Sequence, residues 1–196
     1  MKRIFITIPV LLIALMGCRE KEPEITHTIE LSEEMKAYFV DYEVGTKWIY
    51  QDTLDGNNFD TIELTQIEPY NTNKKGVLEK GYILHYKAQK SSDFKVSVVR
   101  GQDVNFNINM YTAGTGSGSV YFENVNGEWA DFLTYYDSLE IKDTVYYQVI
   151  GSPSSGGVYN LVHASKNAGI IFFIYRDYSG GISKGGDYLL IKTIKP

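Results

Sequence analysis

From residue 42 onward the chain is a succession of short runs in which apolar and polar residues alternate, each closed by a turn signal rich in Gly, Asn, Asp or Ser. Alternation with a period of two places successive side chains on opposite faces of a strand. Turn signals at roughly 8–12-residue spacing are the pattern of an all-β sandwich or barrel. Helical stretches do not alternate with these runs, which argues against a doubly wound α/β sheet.

The run 42–50, YEVGTKWIY, opens the core. Val44-Gly45-Thr46-Lys47 reads as a tight turn feeding a strand, with Trp48 and Tyr50 on one face and Lys47, Ile49 and Gln51 on the other. Leu54-Asp55-Gly56-Asn57-Asn58 is a hairpin signal, because Asp-Gly tolerates positive φ. In 59–68, Ile62, Leu64 and Gln66 fall on one side and Thr61, Glu63, Thr65 and Ile67 on the other, and 69–80 reads as a polar loop. A strand over 81–89 carries Tyr82, Leu84, Tyr86 and Ala88 on one face. Residues 94–100 and 104–110 pair around Gly101-Gln102-Asp103; the second sets Val104, Phe106, Ile108 and Met110 against Asn105, Asn107 and Asn109, as in an antiparallel sheet with one wet face.

A flexible link (112–119) and a short strand (119–124) lead to an Asn126-Gly127 turn signal, and 129–136 fits either a helical turn or a strand. Two strand pieces over 138–150 flank Lys142-Asp143, with Val145, Tyr147 and Val149 on one face. After a turn at 152–157, three strands close the chain at 158–165, 170–177 and 186–194. Ile170 to Ile174 is apolar on both faces, which predicts a central or doubly covered strand.

One stretch has helical spacing. Over 31–40, Ser32 is placed to cap, Glu33 and Glu34 fall in the first turn where the helix dipole favours them, and Leu31, Met35 and Phe39 share a face. Ahead of it, 25–30 alternates weakly and reads as extended.

The chain begins with Lys2 and Arg3 followed by an apolar run over 4–16, too short for a bilayer core, which needs about 20 apolar residues, and the right length for a signal-peptide core. Leu15-Met16-Gly17-Cys18 resembles the lipobox of bacterial lipoproteins. The resemblance implies cleavage before Cys18, a diacylglycerol on its thiol and acylation of the new amine. Stable anchoring takes two acyl chains, since one gives marginal binding. Cys18 is the only cysteine, so no disulfide forms within the chain. Residues 19–24, REKEPE, mix charge with proline, lack apolar side chains and read as a solvated tether. The acids Glu20, Glu22 and Glu24 resemble the tag that sends lipoproteins of Bacteroidota-type bacteria to the outer face of the outer membrane. The bare alternative is a solvated linker and nothing more.

The formal charge is −5, and loss of Lys2 and Arg3 with the signal makes the mature chain two units more negative. That balance argues against nucleic acid or an anionic membrane surface as a partner. Length fits one domain, and the 16 tyrosines suit half-buried pleated surfaces.

Val44-Gly45-Thr46-Lys47-Trp48-Ile49-Tyr50, preceded by Tyr38-Phe39, and Ala168-Gly169-Ile170-Ile171, followed by Tyr188-Leu189-Leu190-Ile191, together resemble uncharacterised lipid-anchored proteins of Bacteroidota-type bacteria. That resemblance implies a curved antiparallel sheet or partial barrel and brings no activity with it.

Chemistry-bearing residues are sparse. His27, His85 and His163 make no HxH, HxxxH or HExxH spacing, so no metal site is expected. His85 and His163 each lie in a strand and could meet across a sheet. The glycine-rich stretches at 114–118 and 180–186 match neither a P-loop nor a dinucleotide fingerprint, and no GxSxG is present. Asp131, Asp137, Glu140 and Asp143 cluster in sequence, which a solvated hairpin edge explains better than a glycosidase pair. The remaining candidates are aromatic: Trp48, Tyr50, Tyr82, Tyr86 and Trp129 first, with Tyr135, Tyr136, Tyr146 and Tyr147, could line a cleft for a sugar or apolar ligand, or could be core packing.

The expectation is therefore a signal peptide (1–17), a lipidated Cys18 with its tether (18–30), and an all-β domain (31–196). That domain would be a single curved antiparallel sheet, partial barrel or sandwich with one short N-terminal helix. In function it would be a non-catalytic module on the envelope, outer membrane or cell surface. It would be held to the membrane by the lipid on Cys18 and would bind a small molecule, glycan or partner without cofactor or metal. The alternative is a half-barrel carrier of acyl chains or lipoproteins.

Overall fold

The computed structural model describes residues 23–100, 106–112, 120–125, 128–131, 133–152, 159–177 and 184–196. The signal segment, Cys18, the tether acids Glu20 and Glu22, Val104, the Asn126-Gly127 turn, the links 113–119 and 153–157 and most of the glycine-rich 180–186 lie outside the described residues.

The chain is all-β with one helix. Its strands are β1 (His27–Ile29), β2 (Lys47–Asp52), β3 (Phe59–Lys74), β4 (Val77–Ala88), β5 (Phe94–Arg100), β6 (Phe106–Thr112), β7 (Val120–Val125), β8 (Glu128–Trp129), β9 (Thr134–Ile141), β10 (Thr144–Ser152), β11 (Tyr159–Ser165), β12 (Gly169–Asp177) and β13 (Lys184–Ile194); the helix α1 spans Glu33–Phe39. They form one 13-stranded sheet in the order β8-β7-β6-β5-β4-β3-β2-β13-β12-β11-β10-β9, with β1 beside β4. All described pairings are antiparallel except β1 with β4. The apolar Ile170–Ile174 run lies in β12, an interior strand between β11 and β13.

Bulges curve this sheet. Thr65 in β3, Ile171 in β12 and Ile191 in β13 are each an extra residue opposite a regular partner, and a bulge bends its strand and raises the local twist. The curl brings β7 alongside β10 and β11.

Helix α1 lies inside the curl. Ser32 is the N-cap, its Oγ accepting the Met35 N–H at 3.2 Å, and Leu31, Met35, Tyr38 and Phe39 are all buried. The helix packs on β5 and β12, the Phe39 ring meets Phe122 of β7 at 5.5 Å, and the Asn167 N–H of the β11–β12 turn donates to the Ala37 carbonyl at 2.9 Å. One apolar cluster joins these residues to Trp48, Tyr50, Ile62, Leu64, Leu84, Val96, Val98, Val162 and Phe173.

Three sequence expectations are corrected and one ambiguity is resolved. Residues 69–80 are mostly strand rather than loop: β3 and β4 run 16 and 12 residues and meet at a two-residue turn. Lys75 (φ 52) and Gly76 (φ 87) supply the consecutive positive φ angles that such a turn requires. The Thr65 bulge reverses the alternation beyond it, so Gln66 is exposed and Ile67 packs on the core. Gln148 stands at φ 49 inside β10, so Val145 and Tyr147 are exposed while Val149 is buried. The ambiguous 129–136 region resolves into the end of β8 and the start of β9.

Candidate functional site

The aromatic candidates separate into an inner and an outer set. Trp48, Tyr50 and Tyr86 are all buried. The Trp48 indole N–H donates to the Ala168 carbonyl at 3.1 Å, and the Tyr50 hydroxyl to the Ile170 carbonyl at 2.8 Å. Trp48 and Tyr50 thus tie β2 to the start of β12 and the turn before it, across the intervening β13. Their rings continue through the core: Tyr42 stands edge-on to Trp48 at 5.1 Å, Trp48 lies 5.8 Å from Tyr86, and Tyr86 stacks on Phe94 at 4.7 Å. Tyr50 meets Phe173 at 4.8 Å, and Phe173 stacks on Tyr188 at 5.0 Å. The cavity between Trp48, Tyr50, Tyr86, Phe39 and Gly169 holds about 10 Å³, roughly the space of one water. Burial pushes the phenol pKa of Tyr86 and Tyr42 up, so both stay neutral. Tyr82 is half-buried at the margin of this cluster. Trp129 belongs to β8, its backbone opposite Asn124 of β7.

Two buried carboxylates stand at the other end of the core. Asp60 accepts four bonds from one loop: the N–H groups of Gln89 (3.1 Å), Lys90 (2.9 Å) and Ser91 (3.0 Å), and the Ser91 hydroxyl (2.5 Å). Asp52 accepts the Leu54 N–H at 3.0 Å and the Asn58 amide at 3.2 Å. These acids fix the β4–β5 and β2–β3 turns. Sequence reading missed them, although the alternation carries the signal: Asp52 continues the inward series Trp48, Tyr50, and Asp60 begins the series Ile62, Leu64. A carboxylate at an inward position must find donors.

The histidines do not meet. His85 of β4 reaches Glu68 at 3.2 Å, while His163 of β11 lies among Tyr136 and Phe172 with its ring over Gly151. Beside His85 a depression of about 270 Å³ is bordered by Thr65, Lys87, Asp93 and Lys95. Its charged lining is Lys87 and Lys95 around Asp93. Asp131, Asp137, Glu140 and Asp143 are exposed along the edge strand β9 and its flanking turns. Among the described residues, no three His, Cys, Asp or Glu side chains come together as metal ligands.

The outer aromatics lie on a hairpin that doubles back. β10 pairs with β11 only from Val149 to Ser152. At Gln148 the strand turns, and beyond it the β9–β10 hairpin crosses the sheet. The Tyr146 hydroxyl donates to the Leu190 carbonyl of β13 at 3.2 Å, and the Lys142 ammonium at the hairpin tip donates to the Gln51 side chain of β2. Strands β11, β12 and β13 separate β10 from β2, so these contacts require the hairpin to pass over them. Gln51 faces away from buried Tyr50, which puts the crossing on the outer face. Leu139, Ile141 and Tyr146 pack downward. Val145 (45 % exposed) and Tyr147 (66 % exposed) face outward, opposite Glu140 and Ser138 respectively. Gln51 also donates to the Gly56 carbonyl at 2.6 Å, next to exposed Leu54 and Phe59. The hairpin tip and the β2–β3 turn therefore form one surface with exposed apolar groups.

No family model, no curated protein and no solved structure matches this chain.

Proposed function

We propose that the protein is a lipid-anchored envelope module, without catalysis, that binds a ligand or partner through its outer surface. The observation that carries the binding half is the folded-back hairpin. It holds Tyr147 and Val145 in solvent while its underside is packed. An aromatic ring with a polar tip suits the apolar face of a sugar or the side chains of a partner. The carrier alternative needs an empty concave face, and helix α1 with its aromatic neighbours occupies that place. The anchor half rests on Leu15-Met16-Gly17-Cys18 and the apolar run before it.

Two experiments test the two halves. Cys18→Ser in the producing cell leaves the precursor uncleaved and unlipidated; a mutant that loses its signal and still partitions into detergent refutes the anchor. For binding, amide shifts of the chain from Arg19 to Pro196 are followed during titration with a panel of oligosaccharides and peptides. Shifts concentrated on the β9–β10 hairpin and lost in Tyr147→Ala support the reading. Saturable shifts elsewhere that survive Tyr147→Ala defeat it.

A further inference from the structure

The β3–β4 hairpin extends past the body of the sheet. The pairing of β4 with β5 runs from Tyr86 to Tyr82. Beyond Tyr82, β4 keeps β3 on one side, and from Glu79 to Val77 it has the short parallel β1 on the other. The result is an arm ending at Lys75-Gly76, roughly 23 Å beyond Tyr82 at strand rise.

The N-terminal segment is fastened along this arm with a fixed direction. At the tip, the Asn73 amide donates to the Pro23 carbonyl at 3.0 Å, and the Thr26 N–H to the Gly76 carbonyl at 2.8 Å. From there His27 pairs with Val77 and Ile29 with Glu79. Lys80 and Glu30 form an ion pair at 2.6 Å nearer the body, which holds the Glu30 carboxyl below its ordinary pKa. The Gly76 position is built for this contact: a Cβ there would stand 2.8 Å from the Glu24 carbonyl oxygen. Pro23 is thus at the arm tip, and the chain runs from it toward the core.

Four residues separate Cys18 from Pro23, so the two lie within five residue steps, at most about 18 Å in any conformation. Resting on the anchor proposed for Cys18, we infer that the arm tip, Asn73 to Gly76, is the pole that meets the lipid headgroups, and that the arm holds the domain body off the membrane. At the tip Lys74 pairs with Glu79 at 3.2 Å, and Lys75 is exposed at the turn itself. The arm keeps the net-negative body clear of an anionic surface. The β2–β3 turn lies at the opposite end of the 16-residue β3, roughly 50 Å away at strand rise. The Gln51 surface and its hairpin point away from the membrane.

The test separates geometry from biology. The chain from Cys18 onward is coupled through its thiol to a maleimide phospholipid in phosphatidylcholine vesicles. A clickable fluorophore is placed by Lys75→azidophenylalanine or, separately, Asn57→azidophenylalanine, and energy transfer to headgroup acceptors is measured. Transfer several-fold more efficient from position 75 than from position 57 is expected. Equal or reversed efficiencies overturn the inference. Because the anchor here is synthetic, this result does not depend on cellular lipidation, which the Cys18→Ser experiment judges separately.

Discussion

The hydroxyl of Tyr38 donates to the carbonyl of Gln148 at 2.8 Å across 110 residues of sequence. The bond joins the helix inside the curl to the residue at which the outer hairpin turns back. Gln148 sits at φ 49, a conformation that costs an ordinary residue about 1–2 kcal/mol. Its carbonyl also accepts the Lys166 N–H at 3.4 Å. Core and hairpin are coupled at one peptide.

Tyr38→Phe keeps the ring and removes that bond. It should cost about 1 kcal/mol and increase hydrogen exchange in the 138–147 hairpin more than elsewhere. A thermal melt with exchange mass spectrometry checks both parts, and uniform protection across the hairpin would show that the bond does not hold it.

Tyr42 and Tyr50 make a matched pair of opposite sign. The Tyr42 hydroxyl is buried without a hydrogen-bond partner among the described residues, so Tyr42→Phe should be neutral or stabilising by up to about 1 kcal/mol. The Tyr50 hydroxyl has the Ile170 carbonyl, so Tyr50→Phe should destabilise by about 1 kcal/mol. Denaturant midpoints at a common slope compare them directly.

Asp60→Ala removes the acceptor of four bonds and leaves the loop donors of Gln89, Lys90 and Ser91 without it. A loss of about 3 kcal/mol is expected, with exchange rising first at residues 89–91. Asp60→Asn should recover part of it, since one amide oxygen still accepts.

His163 sets a pH dependence. Burial holds its folded pKa below the ordinary 6.5, so folding disfavours the proton. The stability it leaves intact is complete above about pH 6.5 and declines as pH falls from there to the lower folded value. His163→Phe should flatten this part of the stability curve, measured by urea titration between pH 7 and 5.

Much of the fold is visible in alternation. The inward series Trp48, Tyr50 and Leu84, Tyr86, the Ser32-capped helix and the interior position of Ile170 to Ile174 follow from patterns of two and of three to four residues. Thr65, Ile171, Ile191 and Gln148 leave no such trace. Each alters one residue's geometry and thereby reverses the facing of the residues beyond it, and their sequence is that of an ordinary strand. The 69–80 arm reads as loop because its side chains are polar on both faces, as expected of strands that bury little. The inner aromatics read equally well as a cleft lining, since composition does not distinguish a ring packed in a core from one lining a pocket. Tyr147 is exposed because of the turn at Gln148, which only the backbone reveals.

The position of α1 also bears on the order of assembly. The helix is made near the start of the chain, yet the groups that enclose it (Phe122, Gln148, Asn167) come from β7, β10 and the β11–β12 turn. Its burial must wait for contacts of long sequence separation, which form slowly. A nascent chain whose core cannot close until β12 exists stays open through most of its synthesis.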